Sequence, residues 1–135
     1  MHITLMYEVL QKKLKIRSSK KCQFTNFFRN PAPLLIKISR YLEEDTDFYR
    51  IIVRANGSEI FMEKLKKLFA DHMLNDSDIP ESMRHSQMVE LRVCYFAGGI
   101  VNLYKQWFRG DLHCTLNDIA LEVSKLLQLE AKELF

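Results

Sequence analysis

The chain has 135 residues, enough for one compact domain burying roughly 65–70% of its unfolded surface, and its 47% hydrophobic and 27% charged residues are the balance of a globular protein rather than a disordered or membrane one. The longest apolar run, Cys94 to Val101, spans eight residues including two glycines, far short of the ~20 that a bilayer-crossing helix needs. A net charge of +3 is concentrated at the start, where Lys12, Lys13, Lys15, Arg17, Lys20, Lys21 and Arg29 stand against Glu8 alone and leave the remainder acidic.

Helical spacing runs through nearly the whole chain and no segment asks to be a strand, so the expected class is all-α, a bundle of about six helices. Residues 3–16 place Ile3, Met6, Tyr7, Leu10 and Leu14 on one helical stripe with Lys12, Lys13 and Lys15 elsewhere. Residues 17–30 are basic but carry Phe24, Phe27 and Phe28, the mark of a connection that packs down through its rings. Asn30-Pro31 opens a second helix through Leu34, Leu35, Ile38, Tyr41 and Leu42 to Glu44. Asp45 or Thr46 caps a short third that ends near Asn56-Gly57. Ser58 starts a fourth with an apolar stripe of Ile60, Phe61, Leu65, Leu68, Phe69, His72 and Met73. After the polar loop Asn75 to Ser82, a long helix is expected from about Met83 to Arg109, stopped by Gly110. Thr115 and Asp118 form a capping box for the last helix, with Leu116, Ile119, Ala120, Val123, Leu126 and Leu127.

Chemistry-bearing patterns are sparse. Cys22, Cys94 and Cys114 are odd in number and widely spaced, which gives neither a disulfide framework nor a zinc site. His2, His72, His85 and His113 have no metal-ligand spacing, and Gly98-Gly99 lacks the wider pattern of a nucleotide loop. The expectation is a cytoplasmic protein that is not an enzyme, holds no metal or cofactor and does not enter a membrane. The basic stretch with its phenylalanines reads as a solvated face or as a weak nucleic-acid contact.

Gly98-Gly99 in mid-helix is costly, at up to about 1 kcal/mol per glycine relative to alanine, so close approach of another helix or of a ligand is the physical reason for it. Downstream, Ile100, Val101, Leu103, Tyr104, Trp107 and Phe108 cover more than one face, as do Leu121, Val123, Leu126, Leu127 and Leu129. Such a helix belongs either at the centre of a monomer or against a partner chain. On the middle helices, Phe48, Tyr49, Ile52, Phe61, Leu65, Phe69, Met88, Arg92, Tyr95 and Phe96 are core residues or the lining of a small-molecule pocket, with Arg92 or Tyr95 as its polar contact.

The stretch from Tyr95-Phe96-Ala97-Gly98-Gly99 through Trp107-Phe108-Arg109-Gly110, followed by Thr115-Leu116-Asn117-Asp118-Ile119-Ala120, resembles the C-terminal regulatory domain of the TetR repressor family. The order of elements from about Asn30 to Leu129 resembles it too. That resemblance implies a homodimer in which the last two helices of each subunit form a four-helix bundle, meeting through Gly99, Ile100, Leu103, Tyr104, Trp107, Phe108, Ile119, Val123 and Leu126. It also implies a mostly apolar ligand enclosed by the preceding helices. Family members open with a three-helix DNA-binding unit, for which nothing before Lys20 has the length, and residues 3–16 resemble the helix that links reader to sensor. The expected organisation is a linker helix and basic connection over 1–29 and a regulatory domain over 30–135, reaching DNA only through a missing N-terminal domain.

Overall fold

The computed structural model describes residues 27–54 and 58–134. Among them lie five α-helices, α1 (Ala32–Glu44), α2 (Thr46–Arg54), α3 (Ser58–Leu74), α4 (Gln87–Phe108) and α5 (Leu116–Leu134), with a 3-10 turn over Glu81–Met83 and no strand. The all-α class follows directly. The expected helix over 3–16, Phe24 and the Asn56-Gly57 stop lie outside the described residues.

Local chemistry sets most boundaries. Pro31 stands at the N-cap of α1 with Pro33 in the first turn, where neither ring deprives the helix of a bond it would otherwise make. The Asp45 carbonyl accepts from the Tyr49 N–H at 3.1 Å, and the Thr46 hydroxyl donates to the Glu43 carbonyl at 3.2 Å, so the end of α1 and the start of α2 satisfy each other. α4 begins four residues later than its composition predicts. The Arg84 guanidinium turns back to the Leu74 and Ile79 carbonyls, and Ser86 caps the helix by accepting from the Val89 N–H at 3.3 Å. At the far end Gly110 takes φ +84, its N–H reaches the Trp107 carbonyl at 3.0 Å, and the Asp111 N–H reaches that of Gln106 at 3.0 Å. Those paired bonds are a Schellman ending, which needs a left-handed residue at this place. The Thr115 hydroxyl accepts from the Asp118 N–H at 3.0 Å while the Asp118 carboxylate accepts from the Thr115 N–H at 2.9 Å, the predicted capping box.

A single core joins Leu34, Leu35, Ile38 and Leu42 of α1, Phe61, Leu65, Leu68, Phe69 and Met73 of α3, Val89 to Phe108 of α4 and Leu116 to Ala131 of α5 at their inward positions. α1 packs chiefly on α5 and α3 on α4. Ile60, expected on the inner stripe of α3, is exposed and Met62 is buried instead. Phe27 and Phe28 are buried as the sequence suggests, closing the core ahead of α1.

Candidate functional site

α4 and α5 form an antiparallel hairpin pinned at both ends. Arg92 pairs with Glu130 at the open end, and at the turn the Trp107 Nε1–H donates to the Cys114 carbonyl at 2.6 Å. α4 turns Val89, Val93, Ala97, Ile100, Val101, Tyr104 and Phe108 inward. The opposite stripe carries Met88, Leu91, Tyr95 and Gly99, and α5 adds Leu126 and Leu129. Tyr95 is 76% exposed, Leu91 63%, Leu129 57% and Leu126 51%, a concentration of apolar surface along one hairpin.

Gly99 is exposed on that surface, and the adjoining half-buried Gly98 lies toward α3. Among the described residues, a methyl group on either would meet nothing within 4 Å beyond its own helix. Among the described residues, no crossing uses the missing side chains. Of the reasons the sequence offered for the pair, an approach by something other than the described helices is the one this packing leaves room for.

The predicted site residues are distributed differently from the sequence expectation. Among the pocket candidates, Tyr49, Phe61, Leu65 and Phe69 are buried in the core: Tyr49 lies 5.9 Å from Phe61 and 6.1 Å from Phe108, and Phe69 stacks on Tyr104 at 6.4 Å. Met88 and Tyr95 lie on the outer stripe of α4, with half-buried Arg92 and Phe96 at its border with α5. The side chains of Phe48 and Ile52 lie outside the described residues. Among the interface candidates, Ile100, Tyr104, Phe108, Ile119 and Val123 are buried in the core of their own chain, Leu103 and Trp107 are half-buried, and Gly99 and Leu126 are exposed. With this packing, the first five have no surface to offer a partner. α4 carries two apolar stripes, and the chain's own core claims the one through Ile100 and Tyr104.

Two adjoining grooves run between α3 and α4. One of 320 Å³ has Ala70, Val93 and Ala97 on its floor and Cys94, Lys66, Lys67 and Glu90 on its rims. Its continuation of 350 Å³ passes Met62, Gly98 and Val101 toward Glu59 and Lys105. Small residues on both helices leave the space, and charges of both signs border it.

Among the described residues, four titrating groups are perturbed by the packing. Burial pushes the Tyr104 hydroxyl up to about 12, against a hydrogen bond with Ser39 at 3.3 Å that pulls it down. Burial, with the charges of Asp45 and Glu44, raises Tyr49 to about 12. Burial also lowers His72, against the opposing pull of Asp71, and raises Asp76. Asp76 is fully buried and accepts from the Phe28 N–H at 2.9 Å and the Asp78 N–H at 2.8 Å. Sequence reasoning passed over it as a loop residue, although Asp76-Ser77-Asp78 is the spacing of an Asx turn.

The family model for transcriptional regulator C-terminal regions, TetR_C_8, matches residues 29–129, from Arg29 through the greater part of α5. The chain belongs to this family. No curated protein and no solved structure matches it significantly. The TetR-type match makes the domain a regulatory module of a transcriptional regulator, and it spans the hairpin, the groove and the Asp76 loop alike. Among the described residues no helix is long and apolar enough to cross a membrane, and no group of three His, Cys, Asp or Glu side chains is placed to hold a metal.

Proposed function

We propose that this chain is the self-associating, ligand-responsive module of a TetR-type regulator, and that two copies meet through the outer face of the α4–α5 hairpin. The glycine pair carries this reading. It costs helix stability, nothing among the described residues uses the missing side chains, and Gly99 lies on the same stripe of α4 as the exposed Leu91 and Tyr95. A facing helix at that point gains close backbone approach and removes large apolar side chains from water, each worth roughly 1.5–3 kcal/mol when fully buried. The interface therefore shares Gly99 and Leu126 with the sequence expectation and takes Met88, Leu91, Tyr95 and Leu129 in place of the core residues. DNA is met through a reader domain rather than through these helices, and the module itself performs no catalysis.

The ligand belongs to the seam between α3 and α4. Its grooves fall within the size range of small-molecule sites, and their apolar floor with charged rims suits a mostly apolar compound with one polar end.

Sedimentation equilibrium of the 135-residue chain at about 10 μM, a concentration that populates complexes of micromolar affinity, is expected to give the mass of a dimer. The exposed-face variant Tyr95→Glu/Leu126→Glu is expected to be monomeric with unchanged helical circular dichroism. A wild-type monomer at that concentration overturns the association reading.

A further inference from the structure

The segment immediately before α1 is held from several directions by residues remote in sequence. The Phe28 N–H donates to buried Asp76 in the loop after α3, the Arg29 guanidinium pairs with Asp78 at 3.5 Å, and the Arg29 carbonyl accepts from Gln128 of α5 at 3.2 Å. Both oxygens of Asp76 are engaged by backbone N–H groups, one of them from this segment. A buried carboxylate is tolerable only while such donors stay in place, so the loop and the segment hold or release together.

The Phe28 ring continues the connection. It is fully buried and meets Phe96 edge to face at 6.4 Å and 83°, and Phe96 meets Tyr95 edge to face at 5.5 Å and 87°. Tyr95 is the most exposed large apolar side chain on the hairpin face. Phe28 is buried and Phe96 half-buried against it, so the position of each ring limits the positions open to the next, and restraint of the exposed Tyr95 ring by a facing surface shifts the populations along the row.

We propose that residues 27–30 form a latch whose closure is coupled, through Phe28 and Phe96, to the packing of Tyr95. In the dimer the second copy restrains the Tyr95 ring, which holds Phe96 against Phe28 and keeps the bond to Asp76 closed; this use of the latch rests on the association reading above.

The coupling is read by hydrogen exchange at single amides in the full chain. In Tyr95→Ala, a surface change that leaves the core composition intact, the Phe28 amide is expected to exchange roughly tenfold faster, as local opening without global unfolding would give. The Val123 amide is expected to stay at its wild-type rate. Phe96→Leu should produce the same acceleration and abolish any further effect of Tyr95→Ala. If Phe96→Leu does not fold, the conservative Tyr95→Phe, which keeps the ring, should retain wild-type exchange. Phe28 exchange within about twofold of wild type in Tyr95→Ala overturns the latch. Sedimentation of the same samples separates the two readings. A monomeric wild type whose Phe28 exchange still answers to Tyr95 overturns the dimer and upholds the latch, whereas a dimer with unaltered exchange does the reverse.

Discussion

Tyr104 is 1% exposed and joins α4 to α1 and the start of α5, since its hydroxyl lies 3.3 Å from that of Ser39, which in turn donates to the Leu116 carbonyl at 3.5 Å. Such a bond contributes about 0.5–1.5 kcal/mol, so Tyr104→Phe is expected to be slightly less stable at neutral pH. The balance changes in alkali. Because the folded value is raised from 10.0 to about 12, stability is fully present below 10 and is lost as pH rises, for the unfolded chain then releases a proton that the folded chain keeps. Tyr49, raised to about 12, adds to the same loss. Chemical denaturation at about pH 7 and about pH 11 should show the variant losing less stability than the wild type over this interval. An equal loss in both would show that the Tyr104 hydroxyl ionises as freely in the fold as in water. Asp76 behaves in the same sense at the acid end: burial raises its carboxyl, so its contribution is greatest at or below the ordinary value of 3.8 and falls as pH climbs through the folded value.

Helix boundaries were legible where a cap has a fixed chemical signature. Thr115 with Asp118, Gly110 after the aromatic cluster and the start at Ser58 all read directly from spacing. The start of α4 did not, because Met83-Arg84-His85 is compatible with a helix by itself and only the carbonyls of Leu74 and Ile79, brought near by folding, draw Arg84 away. The faces of α4 were ambiguous for a related reason. Two apolar stripes share one helix, and its sequence does not tell which of them its own chain will cover; that choice divided the pocket and interface candidates between core and surface. The glycine pair supplies a test at this scale with effects of opposite sign. Gly99→Ala is expected to stabilise the dilute monomer by up to about 1 kcal/mol of helix propensity and so raise its melting temperature, since nothing among the described residues obstructs the new methyl group. The same substitution should weaken dimerisation about tenfold or more by holding the facing backbone away. Unaltered or tighter association would mean that no backbone approaches Gly99.

For the molecule as a whole, a sensor requires a compound that prefers one arrangement of the domain, and binding to the native state alone adds about 2.7 kcal/mol at a ligand concentration a hundred times Kd. Thermal scans against weakly acidic, mostly apolar compounds are therefore expected to reveal concentration-dependent stabilisation. Cys94→Phe, placed at an exposed position on the groove between α3 and α4, should abolish it without lowering the melting temperature of the free protein. Stabilisation that survives this substitution would move the ligand elsewhere. The overall architecture was legible because cap and stripe spacing are local properties, whereas the groove depends on small residues of two helices, Ala70 and Ala97 among them, that come together only in the fold. The hairpin also contains its own optical probe. Trp107 is the only tryptophan in the chain; its indole N–H is tied to the Cys114 carbonyl and the Arg50 guanidinium lies 5.4 Å from its ring centre, so its fluorescence responds to the position of α2 against the turn. Tyr95 lies twelve residues away along α4, about 18 Å at 1.5 Å per residue. A shift in emission colour would therefore signal rearrangement near α2, while pairing of two subunits around Tyr95 should leave the spectrum dark to the event, separating the two transitions without any label.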